Sequence, residues 1–242
     1  MNIFSGFKTL NVTWDALVFG HLFWNRYFGE TSDNPPRGIP STCSSVLIRG
    51  KDGDGKSYCL IVDPTTRRSP EEFYFDLNRR TGLGPEAVTH CFTTHDHFDH
   101  WHGLRYFPNA RWYTGQGNKT LIENAVKQAV DTKRDPGDGQ PPEIDVDKLT
   151  EISGEFLPGV WALPLPGHTK DLHGVAFSSE GRKILIAADA VMTANHFRDQ
   201  TTEFQPDQSM WPLAAATINN IAETFDLVVP GHDNLIISKL KL

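Results

Sequence analysis

Thr94-His95-Asp96-His97-Phe98-Asp99-His100 reads HxHxDH from His95 onward, and the rest of the chain is read outward from it. Neutral imidazole is the commonest protein ligand for zinc, and carboxylate oxygen suits the same ion. Residues alternating along an extended segment share a side, so His95, His97 and Asp99 can converge where a strand gives way to a turn. The preceding run, Ala87-Val88-Thr89-His90-Cys91-Phe92-Thr93, has the apolar character of a buried strand entering such a turn. His100 follows Asp99 directly, faces elsewhere, and is assigned to a second metal. Three later segments add donors: Pro166-Gly167-His168-Thr169, Ala188-Asp189-Ala190 and Pro230-Gly231-His232-Asp233. An isolated histidine is ordinarily structural or solvent-exposed, and ten in 242 residues could cluster by accident. The tight spacing, and three further donors at predicted strand or turn edges, argue against accident. His95, His97, Asp99, His100, His168, Asp189 and His232 suffice for two adjacent divalent ions.

Composition narrows the alternatives. With 38% hydrophobic and 22% charged residues the chain is an ordinary globular protein, long enough for a sizeable core. A formal net charge of −7 and the lack of a basic run argue against a nucleic-acid surface. No apolar stretch approaches membrane-spanning length, and the N-terminus lacks the pattern of a signal peptide. Cys43, Cys59 and Cys91 read as buried free thiols of a reducing compartment, and a nucleophilic Cys91 is disfavoured. The expected location is cytoplasmic. Ser238-Lys239-Leu240 would spell a peroxisomal address if Lys241-Leu242 did not follow it.

Along the chain, strands are expected over Phe7 to Thr13, Ser41 to Arg49 and Ser57 to Val62. A helix is expected over Pro70 to Arg80, capped by Ser69 with Glu71 and Glu72 in its first turn, and another over Gly115 to Val130. Residues 131–143 read as a Pro/Gly-rich loop. Further strands fit 147–152, 158–165, 173–179 and 183–188, a helix fits 209–224, and a last strand, Asp226 to Val229, delivers His232. An aromatic segment with Trp14, Phe19, Phe23, Trp24, Tyr27 and Phe28 reads as core packing or a homodimer surface, with a substrate-pocket wall as the alternative. His21, His173 and His196 read as structural. Asp96 and His102 flank the ligands as supporting or surface groups, His102 being a weak candidate for protonating a leaving group.

From about Thr42 to Asn234 the chain resembles the metallo-β-lactamase-fold hydrolases. That resemblance implies a single α/β domain over residues 1–242, an αβ/βα four-layer sandwich of two mixed sheets with helices outside and metals at one sheet edge. It implies that His95, His97 and His168 hold one metal, that Asp99, His100 and His232 hold the other, and that Asp189 bridges them. Asp63, in Leu60-Ile61-Val62-Asp63-Pro64, matches an aspartate that steadies the metal loop without touching the metals. Zinc, two ions per chain, suits the donors best, with iron, manganese or cobalt as alternatives. HxHxDH differs from the HxExDH of the flavodiiron branch, which disfavours redox chemistry.

The implied mechanism is attack on a small molecule's carbonyl by a metal-bridging hydroxide, with Asp99 shuttling the proton. Classical β-lactamases do not use a bridging aspartate like Asp189. Glyoxalase-II-type thioesterases add a helical domain, whereas ten residues follow His232 here. Nucleases of the fold would want basic elements or an inserted domain. A lactonase-like cyclic ester hydrolase fits best. It departs from quorum-quenching lactonases in lacking a tyrosine shortly after Asp189, where Ala190-Val191-Met192-Thr193-Ala194-Asn195 stands. The alternatives are a thioesterase, lactamase or phosphodiesterase of the same fold, or a non-catalytic metal-binding module.

Overall fold

The computed structural model describes residues 12–22, 42–65, 69–134, 142–199 and 207–238. Twelve strands among them form two six-stranded sheets. The first runs, in spatial order, β1 (Thr13–Val18), β2 (Ser45–Lys51), β3 (Ser57–Val62), β4 (His90–Thr93), β5 (Arg111–Gly115) and β6 (Leu149–Ile152). The second comprises β7 (Gly154–Leu157), β8 (Val160–Pro164), β9 (His173–Ser179), β10 (Arg182–Ala188), β11 (Leu227–Pro230) and β12 (Ile236–Ile237), again in spatial order. Both sheets are mixed. β3 to β6 are mutually parallel and so are β10 and β11, while the remaining neighbours are antiparallel.

Alternation along the strands sets the layers. Val46, Ile48, Leu60, Val62 and Phe92 face the other sheet, where Val175, Phe177, Ile184, Ile186 and Val229 meet them. The intervening Leu47, Ile61 and Cys91 face outward against Phe73 and Leu77 of α1 (Pro70–Thr81), Trp101 of α2 (Phe98–Trp101) and Ile122 and Val126 of α3 (Asn118–Asp131). On the far side, Leu185, Ala187 and Val228 pack on Ile218 and Ile221 of α5 (Trp211–Thr224), which follows the short α4 (Ala194–Asp199). The result is the expected αβ/βα four-layer sandwich. None of the helices described is long and apolar enough to cross a membrane.

Several boundaries differ from the sequence reading. The first strand is Thr13–Val18, later than expected, and residues 7–11 lie outside the described residues. Trp14 therefore belongs to a strand, and its ring meets Phe177 edge-on at 6.0 Å. Phe23, Trp24, Tyr27 and Phe28 lie outside the described residues. The second helix starts at Asn118 because Arg111–Gly115 is β5, a strand the reading omitted along with β7, β12, α2 and α4. Cys43 and Cys91 are buried as expected, but Cys59 is only half-buried.

His90, on β4 well away from the HxHxDH loop, stacks on Tyr113 at 5.8 Å and meets Tyr58 edge-on. Burial, helped by the charge of Arg111, lowers its pKa to about 4. An imidazole with a lowered folded-state pKa binds fewer protons folded than unfolded. Its contribution is therefore present above about 6.5 and is lost as the pH falls toward 4. His90→Phe keeps the stacking and removes the titration. The drop in urea midpoint between pH 7 and pH 4.5 should be smaller in the variant, and an equal drop would clear His90 of the acid sensitivity.

Candidate metal centre

Five strands end at one rim of the sandwich. Asp63 directly follows β3, and the Thr94–His97 loop follows β4 and runs into α2, which carries Asp99 and His100. His168 lies in the loop between β8 and β9, Asp189 immediately after β10, and His232 just beyond β11. The structure brings all seven predicted ligands together. His95, His97, His168 and Asp189 form one group, and Asp99, His100 and His232 another; within each, the donor atoms lie within 4.8 Å of one another.

Asp189 joins the two groups through its separate oxygens. Oδ2 lies 3.3 Å from His168 Nε2 and 3.8 Å from His95 Nε2. Oδ1 lies 3.2 Å from His232 Nε2 and 3.3 Å from His100 Nε2. Asp99 Oδ2 approaches His232 and His100 at 3.7 and 3.8 Å, and His168 Nε2 is 2.9 Å from His97 Nδ1.

Outer contacts aim the imidazoles inward. His232 Nδ1 donates to the Thr42 carbonyl at 2.9 Å, and His100 Nδ1 donates to Asp63 Oδ2 at 2.8 Å. In both rings Nε2 is thereby left as a lone pair facing the cluster. Asp63 is held in turn by the Thr94 amide and hydroxyl, each at 2.8 Å. Asp63 and Ala188 both take positive φ, 49° and 47°, at strand ends, so the chain bends sharply where each carboxylate must turn in. Gly231 leaves room for one of them, since a Cβ there would stand 2.0 Å from Asp189 Oδ1.

Charge in the cluster is self-balancing. Burial pushes His95 well below its ordinary pKa, the neighbouring imidazoles adding to the effect, and burial brings His168 down to about 4. Burial also opposes charge on His100 and His232. Around His100, the carboxylates of Asp189, Asp63 and Asp99 outweigh it, and around His232, Asp189 and Asp99 do, so both pKa values rise. Burial acts against the charged form of Asp189 too, yet His232, His100 and His168 hold its carboxyl well below the usual range.

The donor set fits divalent metal ions. His95 Nε2 and His100 Nε2 are buried, point into the cluster, and make no hydrogen bond of acceptable geometry among the described residues. Buried nitrogens in that state require a partner, and a cation supplies one to several together.

The flanking residues do other work. His102 stacks on Phe98 at 4.9 Å and its Nδ1 contacts the Phe98 carbonyl, which orients it into helix packing. Asp96 gives its backbone carbonyl to Trp101 Nε1. His21 pairs by backbone with Thr42, His173 contacts the Asp171 carbonyl, and His196 accepts from the Met192 amide, all as structural groups. Cys43 was read only as a buried thiol. Its Sγ donates to the Asp99 carbonyl at 3.1 Å, and burial raises its pKa to about 12, so it stays a neutral donor.

A profile of the metallo-beta-lactamase superfamily matches residues 38–232. The chain belongs to that superfamily. An N-acyl homoserine lactonase of Bacillus cereus is 25% identical over 218 residues, covering 86% of this chain and 80% of the lactonase. The enzyme of the same name from Bacillus thuringiensis is 25% identical over 219 residues, with the same coverage. Among solved structures, a candidate metallo-beta-lactamase from Thermotoga maritima superposes with a TM-score of 0.63 at 17% identity, over 94% of this chain and 99% of that one. An N-acyl homoserine lactone hydrolase, solved with N-hexanoyl-L-homoserine at its catalytic metal centre, superposes with a TM-score of 0.58 at 17% identity, over 93% and 94% of the two chains. These likenesses bear out the expected superfamily and fold.

If the cluster binds divalent ions only when folded, ligand linkage predicts stabilisation of about 3 kcal/mol at a hundredfold excess over Kd. For a chain of this size that is a rise of roughly 5 °C or more in thermal midpoint. Zinc added to chelator-stripped protein should produce it. A midpoint unmoved by zinc, manganese and cobalt alike would remove the metal-centre assignment.

Proposed function

We propose that the chain is a single-domain, dinuclear metal-dependent hydrolase of small carbonyl esters, with a lactone as the best-supported substrate. The observation that carries this reading is Asp189, buried between the two histidine groups with one oxygen turned to each. In it, His95, His97 and His168 would hold one ion and Asp99, His100 and His232 the other, Asp189 would serve both, and zinc is the expected metal. Bound at these positions, the ions would acidify water and polarise an ester carbonyl. The 25% identity to lactonases across 86% of the chain supports the substrate class, and the residues after Asp189 leave the acyl group open.

The protein's own groups divide the remaining work. Asp63 and the Thr42 carbonyl hold His100 and His232 in the tautomer that presents Nε2. Asp99 is the acid of the cluster that reaches the open side, its side chain 27% exposed against 3% for Asp189. Its carboxylate takes the proton released as water adds to the carbonyl carbon. It returns that proton to the alkoxide oxygen as the ring C–O bond breaks, which leaves a hydroxy acid. The partner expected is thus a small molecule, and the location expected remains cytoplasmic.

Two measurements decide the matter. Protein purified without chelator should carry about two divalent ions per chain. In a panel of lactones, thioesters, phosphodiesters and β-lactams it should turn over lactones first. Changes beyond the ligands commonly cost 10–100-fold, so Asp189→Asn should cost at least about 100-fold in kcat/KM, with loss of bound metal. Full activity and full metal content in Asp189→Asn would overturn the dinuclear reading. Turnover confined to another ester class would replace the lactone.

A further inference from the structure

α3 opens on Asn118, whose side chain is fully buried. Its Nδ2 serves two carbonyls, Thr94 at 3.1 Å and Asp171 at 2.6 Å. Thr94 immediately precedes His95, and Asp171 lies three residues after His168. The Thr94 carbonyl also accepts from the His173 amide at 3.0 Å, so one small region pins both ligand loops. The first loop leaves β4 of one sheet and the second leaves β8 of the other, making this amide a tie between the sheets at the metal rim.

The surroundings leave the tie little slack. A Cβ on Gly117, where φ is +92°, would come within 2.9 Å of the Asp171 carboxyl carbon. One on Gly115 would stand 2.1 Å from the His173 ring. The helix entry is itself anchored, because the Glu151 carboxylate accepts from the Gly117 and Lys119 amides at 2.9 and 3.0 Å. The residue type matters as well. A neutral amide offers two N–H donors from one nitrogen, whereas an aspartate would set negative charge against two carbonyls and a serine supplies a single donor.

We propose that Asn118 is a positioning residue for the group formed by His95, His97, His168 and Asp189. It sets how far the His95–His97 loop stands from the His168 loop, and hence whether His97 Nδ1 and His168 Nε2 converge to 2.9 Å. The proposal rests on the metal-centre reading. It bears unequally on the two ion positions: His232 is held by the Thr42 carbonyl and the Asp99 backbone by the Cys43 thiol, and the tie reaches His100 only indirectly, through Thr94 and the Asp63 carboxylate.

The test compares wild type, Asn118→Ala and Thr89→Val. Thr89 supplies the control: its hydroxyl accepts from the Cys59 amide and lies within hydrogen-bond distance of the Cys59 carbonyl and His90 Nδ1, none of them in a ligand loop. Zinc affinity is read by competition with a chromophoric chelator. Amide hydrogen exchange is read on the metal-free proteins. Asn118→Ala should weaken one zinc-binding step by about tenfold or more and the other by a clearly smaller factor. It should speed exchange at His173 and across 167–171 while His232 and Ser44 keep their protection. Thr89→Val should leave both binding steps within threefold. Should Asn118→Ala fail to fold, Asn118→Ser retains one donor and should show the same selective loss in smaller degree. Two binding steps within threefold of wild type, both weakened alike, or equal loss in the control would each overturn the assignment. Exchange needs no metal, so a wild type that bound no zinc would defeat the metal-centre reading while the exchange comparison still decided whether Asn118 ties the loops.

Discussion

Everything at the rim depends on one buried carboxylate. Asp189 is 2% exposed, and removing such a charge from water costs several kcal/mol unless cations face it. The four imidazole nitrogens around its two oxygens make that compensation compulsory. In the metal-free protein the surrounding carboxylates favour a proton on His100 and on His232 and so raise their pKa values, while burial lowers those of His95 and His168. A divalent ion brings greater charge than a proton and satisfies several nitrogens at once. Metal and proton therefore compete for the same lone pairs, and the cluster reads as a site built for cations before any reaction is considered.

The placement of that carboxylate follows from the packing of the two sheets. Phe92 of one sheet and Phe177 and Val229 of the other belong to the apolar layer between them. Packed sheets stand about 10 Å apart, and the strand ends that carry the ligands inherit that separation. Short cross-ties then refine it. The Ser44 amide donates to the Gly231 carbonyl at 2.6 Å, and Asn118 bridges Thr94 and Asp171. Positive φ at Asp63 and Ala188 is a local strain that the surrounding sheets sustain, and it turns both carboxylates off the strand axis toward the cluster.

What could be read from the sequence was what side-chain chemistry and periodicity carry. The HxHxDH run is local, and imidazole spacing exposes it directly. β3 and β9 have the predicted limits because apolar residues fill them and polar ones bound them. β5 escaped because Arg111-Trp112-Tyr113-Thr114-Gly115 mixes charge, hydroxyl and glycine in a strand that only its parallel neighbours identify. The start of α3 was displaced by that omission. The supports of the site were hidden for a different reason. The Thr42 carbonyl is backbone, and Cys43 meets Asp99 from 56 residues away. Asn118 lies in an amphipathic helix where an asparagine attracts no notice.

The unequal exposure of the two carboxylates assigns their roles within the proposed reaction. Asp189 is enclosed by imidazoles, and a proton placed on it would remove the charge that orders them. Asp99 approaches His100 and His232, keeps 27% of its side chain open, and has its backbone carbonyl fixed by Cys43. His100 and His232 also hold its carboxyl below the usual range against the effect of burial, so it carries a proton only briefly. A fleeting carrier suits an ester, whose alkoxide leaving group is a far stronger base than a carboxylate and draws the proton onward. The same geometry suits an amide less well, since a departing nitrogen must be protonated before its bond breaks. On that chemistry the proposed reaction suits an ester better than a lactam.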